Sequence, residues 1–210
     1  MTASVQVLIL GLLLGGVYAL MASGLTLLFG VMRVVNLAHA AFIVLAAFLS
    51  FFLWEGPGID PLVSLVVTVP VFFVFGMAIY RLVFPRIEGS PRFTEMTVLM
   101  TFGFAFIAEG LMSYFFTGIF RQTKPPYAQD AILLGPLYVP TGQLYAAITS
   151  IVLLVALWAF LKYTRTGYGV RATMQNRDAA QLVGVDVRRV STVAFGIGMA
   201  LAGAAGALIS

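Results

Sequence analysis

Within the long apolar stretches of this 210-residue sequence lie one histidine, His39, and one acidic residue, Glu109. Ionisable side chains at membrane depth are costly, and they commonly belong to ion or proton pathways. The two residues are therefore candidates for proton coupling. The same pattern also fits a histidine that is hydrogen-bonded to a neighbouring helix and a glutamate that is protonated or snorkels within a bundle.

The residue types that catalysis and metal binding require are otherwise scarce. The chain has no cysteine, and its single histidine and eight acidic residues are scattered, which argues against a metal site. The sequence contains no P-loop, HExxH or GxSxG motif, and His39 has no serine or carboxylate close by in sequence. We therefore expect no enzyme, no resident cofactor or metal, and no nucleotide held by a P-loop.

Composition identifies the elements that carry these residues. Hydrophobic residues make up 61% of the chain, and the mean hydropathy is +1.03. Charged residues make up 10%, against about 25% in soluble domains. Six runs approach the length of about 20 residues that a membrane-spanning helix needs. They are residues 5–31, 36–54, 62–80, 96–117, 143–161 and 190–210. The sequence thus predicts an all-α polytopic transmembrane helix bundle, with about six spans in a single domain, 1–210.

The distribution of basic residues predicts the orientation of these spans. Ten of the twelve Lys and Arg residues lie in the loops after the first, third and fifth spans. Because cytoplasmic loops collect basic residues, we expect the N-terminus outside and the segment 162–189 in the cytoplasm. The basic surplus is assigned to orientation and to membrane lipid, with no nucleic-acid partner. The external loop 118–142 is rich in proline and is expected to form turns without a regular helix.

Two polar segments stand at helix boundaries. The first contains Arg33, Asn36 and His39, and Asn36 suits the N-cap of the helix that follows. The second is the segment 162–189. It has no Gly or Pro from Met174 to Val183, which predicts a short helix that stops at Gly184. Its mixed apolar and charged residues suit solvent, lipid headgroups or the surface of a partner protein.

Small residues follow one face of the first span, as the 100° rotation per helical residue shows. The face consists of Gly11, Gly15, Tyr18, Ala22 and Thr26. A GxxxG pair permits close helix contact in lipid, so we expect helix packing at Gly11 and Gly15, and at Gly198 and Gly206 in the last span. Tyr18 and Thr26 are candidate polar groups beside a translocation pathway.

Two longer blocks resemble a known family. Residues 16–40, GVYALMASGLTLLFGVMRVVNLAHA, are similar to the opening of permease subunits of branched-chain amino acid ABC transporters. Residues 164–185, TRTGYGVRATMQNRDAAQLVGV, resemble their cytoplasmic coupling loop, and the FGIGMALAGAAGAL that comes later resembles the next helix. Residues 41–160 match mainly in hydropathy. Family members usually continue through further membrane helices, so the resemblance implies additional helices beyond residue 210.

The resemblance implies a subunit of an importer for branched-chain or other hydrophobic amino acids in a bacterial inner membrane. The expected partners are a second related permease, two cytoplasmic ATPases that bind ATP, and an extracytoplasmic substrate-binding protein. Six residues match the coupling motif: Arg171, Asn176, Arg177, Asp178, Ala180 and Gly184. The pathway candidates of the first motif are Tyr18, Thr26, Asn36 and His39.

Two other functions stay open on the sequence. Importers of urea and short-chain amides share the same permease architecture. A self-sufficient secondary transporter would use Glu109 and His39 for proton coupling and would need no ATPase partner.

Overall fold

The computed structural model describes residues 2–116, 121–128, 130–135 and 137–210, and it is built mainly from helices. The long helices are α1 (Thr2–Met32), α2 (His39–Glu55), α3 (Pro61–Val83), α4 (Phe93–Phe116), α5 (Thr141–Tyr163) and α8 (Val187–Ile209). Two shorter helices, α6 (Arg165–Gln175) and α7 (Arg177–Leu182), lie between α5 and α8. Short 3₁₀ turns occupy Phe84–Arg86 and Pro126–Ala128.

The predicted all-α polytopic bundle is confirmed. Each predicted span corresponds to one long helix, with boundaries that agree within about three residues. Five of the helices in the described part of the chain are long and apolar enough to cross a membrane: α1, α3, α4, α5 and α8. The sixth, α2, has 17 residues and is about 26 Å long at 1.5 Å per residue. It is therefore slightly shorter than a hydrocarbon core of about 30 Å.

A small antiparallel hairpin lies between α4 and α5. Its strands are β1 (Ala131–Leu134) and β2 (Leu137–Pro140), and Ile132 pairs with Val139. Tyr138 N donates a hydrogen bond to Gln6 Oε1 (2.8 Å), which joins the hairpin to the start of α1. The sequence predicts turns here and not strands, because each strand is only four residues long and β2 ends in Pro140. Residues 117–120, 129 and 136 of this loop lie outside the described residues.

Helix α8 is the central element of the bundle. It contacts α3, α2 and α1 most extensively, and 78% of its apolar window is buried within the protein, against 11–28% for the other four long spans. A helix that is surrounded by protein needs no polar face and can be apolar all round. The run of Gly and Ala in the second half of α8 satisfies this condition.

Two glycines of α8 permit close approaches to neighbouring helices. A Cβ atom added at Gly206 would clash with Ile43 O of α2 and would lie 2.7 Å from Ala46 Cβ. One added at Gly198 would lie 2.7 Å from Leu28 Cγ and 3.0 Å from Gly24 O of α1. The backbones therefore meet closely where a side chain is absent, as expected for helices that associate in lipid.

The contacts between loops fall into two groups at opposite ends of the bundle. At one end, Glu88 pairs with Arg177, and α6 contacts α1 and α8. We call this the basic end, defined by the segments 33–38, 84–92 and 164–186. At the other end, the Tyr127 hydroxyl donates to Asp60 Oδ1 (2.8 Å). The three loops that the sequence predicts to be cytoplasmic thus share one end.

Replacing Gly206 by alanine is expected to destabilise the protein, because the new methyl group meets the α2 backbone at Ile43. Overpacking of this kind costs about 1–3 kcal/mol. Thermal unfolding of the purified chain in detergent measures the effect as a lower Tm.

The matched control is Gly110→Ala on α4, where an added Cβ would meet no described atom within 4 Å and where alanine favours the helix. An unchanged Tm in Gly206→Ala would contradict the close contact between α2 and α8.

Candidate functional site

Helix α6 begins the polar segment at the basic end. The Thr164 side chain caps it, since Thr164 Oγ1 accepts a hydrogen bond from Gly167 N (2.9 Å). Gly167, Val170 and Thr173 are buried at a spacing of three residues, so this face of α6 packs against the bundle. Arg171 is exposed, and its guanidinium lies 4.9 Å from the centroid of the Tyr168 ring. The helix is thus fixed on one side and charged on the other.

The chain breaks helical geometry at Asn176. The prediction of one helix from Met174 to Val183 is therefore wrong at its start, because α6 runs through Gln175 and α7 begins at Arg177. Asn176 is extended (φ −154°, ψ 110°), and its Oδ1 accepts hydrogen bonds from the backbone of Asp178 (3.1 Å) and Ala179 (3.0 Å). An asparagine N-cap separates two helices here without any glycine or proline.

Helix α7 ends at Leu182, two residues before Gly184, and presents its far side to solvent. Gly184 has φ +86°, the left-handed conformation that commonly terminates helices and favours glycine. Ala180 is buried and holds one side of α7 against the protein, whereas Leu182 and Val183 are 89% and 79% exposed. Asp178 is exposed as well. α7 therefore displays two apolar side chains beside a carboxylate at the basic end.

One ion pair joins α7 to the segment between α3 and α4. Arg177 Nη2 of α7 pairs with Glu88 Oε1, and both side chains are partly buried, with 29% and 22% of their surface exposed. Sequence analysis does not find Glu88, because the two residues are 89 positions apart and no local pattern connects them.

The first motif lies where α1 leads into α2, and Asn36 and His39 are both buried there. The predicted N-cap role of Asn36 is wrong. Helix α2 begins at His39 after Ala38, and Asn36 Oδ1 accepts from Ala38 N (3.1 Å) in the turn before the helix. His39 Nε2 lies 3.2 Å from Met21 O of α1. Asn36 Nδ2 and His39 Nδ1 have no hydrogen-bond partner among the described residues.

Tyr18 and Thr26 lie apart from Asn36 and His39. Both are exposed on the outer face of α1, and Tyr18 is 55% exposed. Gly11 and Gly15 share this face, and an added Cβ at either glycine would meet no described atom within 4 Å. Helix packing at these two glycines stays a prediction. Beside Thr26, a groove of about 420 Å³ separates α1 from α5 and α6.

Glu109 is exposed on α4, whereas His39 is buried. Within the ranges that the structure describes, no hydrogen bond or ion pair joins the two residues. Proton coupling through this pair stays a prediction. In the same ranges, no group of three His, Cys, Asp or Glu residues could hold a metal ion.

The opposite end of the bundle is organised by Asp60. Its Oδ1 accepts hydrogen bonds from Leu62 N (2.8 Å), which caps α3, and from the Tyr127 hydroxyl (2.8 Å). Burial, and then the hydrogen bond to Asp60, raise the pKa of Tyr127 above its ordinary value, so the phenol stays neutral and donates. A cavity of about 350 Å³ lies behind this contact, between the ends of α1, α3, α5 and α8.

A bundle of long apolar helices with a structured basic end defines a polytopic membrane protein. Residues 7–210 match the family model of the permease component of branched-chain amino acid transport systems. The chain belongs to this family of permease components, and it is a multi-pass protein of the inner membrane. The resemblance stated from the two sequence blocks is confirmed.

Curated relatives carry names that agree with the family. The chain is 24% identical to the high-affinity branched-chain amino acid transport system permease protein LivH of Salmonella typhimurium, over 95% of the chain and 68% of the relative. It is 29% identical to the probable branched-chain amino acid transport permease protein LivH of Methanocaldococcus jannaschii, over 90% of the chain and 61% of the relative. BraD of Pseudomonas aeruginosa, also a permease protein of such a system, is 23% identical over 97% of the chain. No solved structure matches the chain.

Replacing Asn176 by alanine removes the cap of α7 and is expected to fray this six-residue helix. Loss of an N-cap costs about 0.5–2 kcal/mol. A loss of about 1.4 kcal/mol in the stability of α7 would make amide exchange in this helix about tenfold faster. Hydrogen–deuterium exchange of residues 177–182 measures the change. Gln175→Ala, at the exposed last residue of α6, is the control and should leave exchange in α7 unchanged. Equal protection in both variants would show that Asn176 does not stabilise α7.

Proposed function

We propose that this chain, together with a second related permease, forms the translocation pathway of an ATP-driven importer for branched-chain or other hydrophobic amino acids. Membership of the permease family and the names of the relatives support the substrate class. The observation that carries the proposal is α7, a separately capped helix at the basic end whose Leu182 and Val183 are almost fully exposed.

The exposed side of α7 suits docking into a groove on a cytoplasmic ATPase. Exposed apolar side chains that are surrounded by charged residues are typical of interaction surfaces. Asn176 and Gly184 set the two ends of α7, Ala180 holds it to the bundle, and Arg177 and Asp178 supply charge at its start. Arg171 adds a positive charge on the neighbouring α6. The chain has no P-loop, so two partner ATPases supply ATP binding and hydrolysis.

ATP-driven closure of the two ATPases would displace α7 and switch the permease pair between outward-open and inward-open forms. Only residues 183–186 separate α7 from α8. Asp186 caps α8 by accepting from Arg189 N (3.0 Å), so a displacement of α7 acts directly on the start of the central helix.

The outer face of α1 is the proposed boundary of the pathway. Tyr18 and Thr26 are exposed on this face, and the bare glycines Gly11 and Gly15 allow a second permease to approach closely. Asn36 and His39 contribute buried nitrogens that no described residue satisfies. An extracytoplasmic binding protein would deliver the substrate at the Asp60 end and would carry most of the selectivity.

The proposed orientation predicts which residues a membrane-impermeant maleimide reaches from outside the cell. Because the chain has no cysteine, each single cysteine substitution introduces one thiol, and any labelling of the chain occurs at that position. Asp130→Cys, at the exposed residue before β1, should label in intact cells or spheroplasts, and Gln175→Cys at the basic end should label only after the membrane is permeabilised. The reverse pattern would contradict an external N-terminus and a cytoplasmic α7.

Replacing both Arg177 and Asp178 by alanine should lower ATP-dependent uptake of radiolabelled leucine by about tenfold or more, the effect of losing about 1.4 kcal/mol of docking free energy. The variant should also retain less ATPase when the complex is purified. Uptake measured in vesicles that contain the full complex gives the transport rate.

The control is the double variant Arg92→Ala and Glu95→Ala, which removes one charge of each sign from exposed positions at the same end. Leucine uptake that persists in a correctly inserted Arg177/Asp178 variant, or that follows a pH gradient without ATP, would contradict the docking role and favour a secondary transporter. Uptake of urea or a short-chain amide in place of leucine would overturn the substrate class.

A further inference from the structure

Helix α7 has few attachments to the membrane-spanning helices. It contacts α6 before it and α8 after it along the chain, and Ala180 is its buried residue. The Arg177–Glu88 ion pair adds a side-chain connection to the segment between α3 and α4. This connection bridges a cleft of about 710 Å³, which Pro85, Phe93, Gln181 and Arg188 also line. The ion pair therefore joins two parts of the protein that are otherwise separated by open space.

Glu88 itself is firmly held. Its backbone N donates to Phe84 O (3.1 Å) in the 3₁₀ turn that follows α3. Phe84 is buried, and its ring stacks on Tyr80 of α3 at 5.3 Å between centroids and packs against Phe195 of α8 at 5.1 Å. A force on Glu88 is thus passed to a close-packed aromatic cluster shared by two membrane helices.

Glu88 lies in a cleft with two arginines, and its negative charge offsets their positive charges beside α7. Arg177 and Arg188 line the same cleft as Glu88. Without the carboxylate, the residues that line this cleft would include two arginines and no acid, and like charges repel. Because both partners are partly buried, solvent screens the pair less than it screens an exposed pair.

We propose that Glu88 is a positioning residue for transport, which holds Arg177 and passes the displacement of α7 to α3 and α8 through the Phe84 cluster. This inference rests on the proposed function. Docking of α7 on the ATPase and transmission through Glu88 are then two steps of the coupling that share Arg177. Loss of Glu88 uncouples ATP hydrolysis from transport while the ATPases remain bound.

The test is leucine transported per ATP hydrolysed by the full transport complex in proteoliposomes. Glu88→Gln removes the charge and keeps the shape of the side chain. It should retain ATPase binding and ATP hydrolysis but lower transport per ATP by about fivefold or more. Glu88→Asp, which keeps the charge, should lie between this variant and the wild type. Glu95→Gln, an exposed acid in the first turn of α4, is the matched control and should transport like the wild type.

The charge swap Glu88→Arg with Arg177→Glu restores the ion pair with its charges exchanged, so it tests whether the pair, and not either charge alone, carries the coupling. Recovery of at least half of the wild-type transport per ATP is expected. A Glu88→Gln complex that couples normally, or a swap that retains the ATPases but stays uncoupled, overturns the inference and leaves the docking proposal intact. Absence of any ATPase from the wild-type complex would instead contradict the proposed function itself.

Discussion

Close contact of α8 with α1, α2 and α3 holds the helix bundle together. In lipid, water does not drive apolar helices together, so their association relies on packing and on close backbone approach. α8 supplies this approach at Gly198 and Gly206, where the neighbouring backbones leave no space for a side chain. The central helix thereby fixes the three helices that surround it.

The positions of the segments at the basic end depend on this packing. Four residues separate the end of α7 from the start of α8, and Phe195 of α8 packs against Phe84, which follows α3. Helix α7 is therefore linked to the core along the chain through residues 183–186 and across the cleft through Arg177 and Glu88. Movement of α7 can therefore reach α8 through residues 183–186 and α3 through the Arg177–Glu88 pair.

Features that depend on local sequence could be predicted, and features that depend on distant contacts could not. The spans follow from runs of apolar residues, and the grouping of basic loops follows from their charge. The termination of α7 just before Gly184 follows from a local glycine. The break at Asn176 was missed because neither glycine nor proline marks it, although asparagine is a common N-cap. The Glu88–Arg177 pair and the exposure of Gly11 and Gly15 depend on how the helices pack, which one sequence does not reveal.

Native mass spectrometry of the full complex, purified in mild detergent from its own host, tests the central claim most directly. The account predicts that this chain co-purifies with a related permease and two P-loop ATPases, and that excess peptide of residues 174–185 releases the ATPases. A chain that is found alone or only with copies of itself, in a detergent that preserves known complexes of the same membrane, would contradict the claim that α7 docks an ATPase.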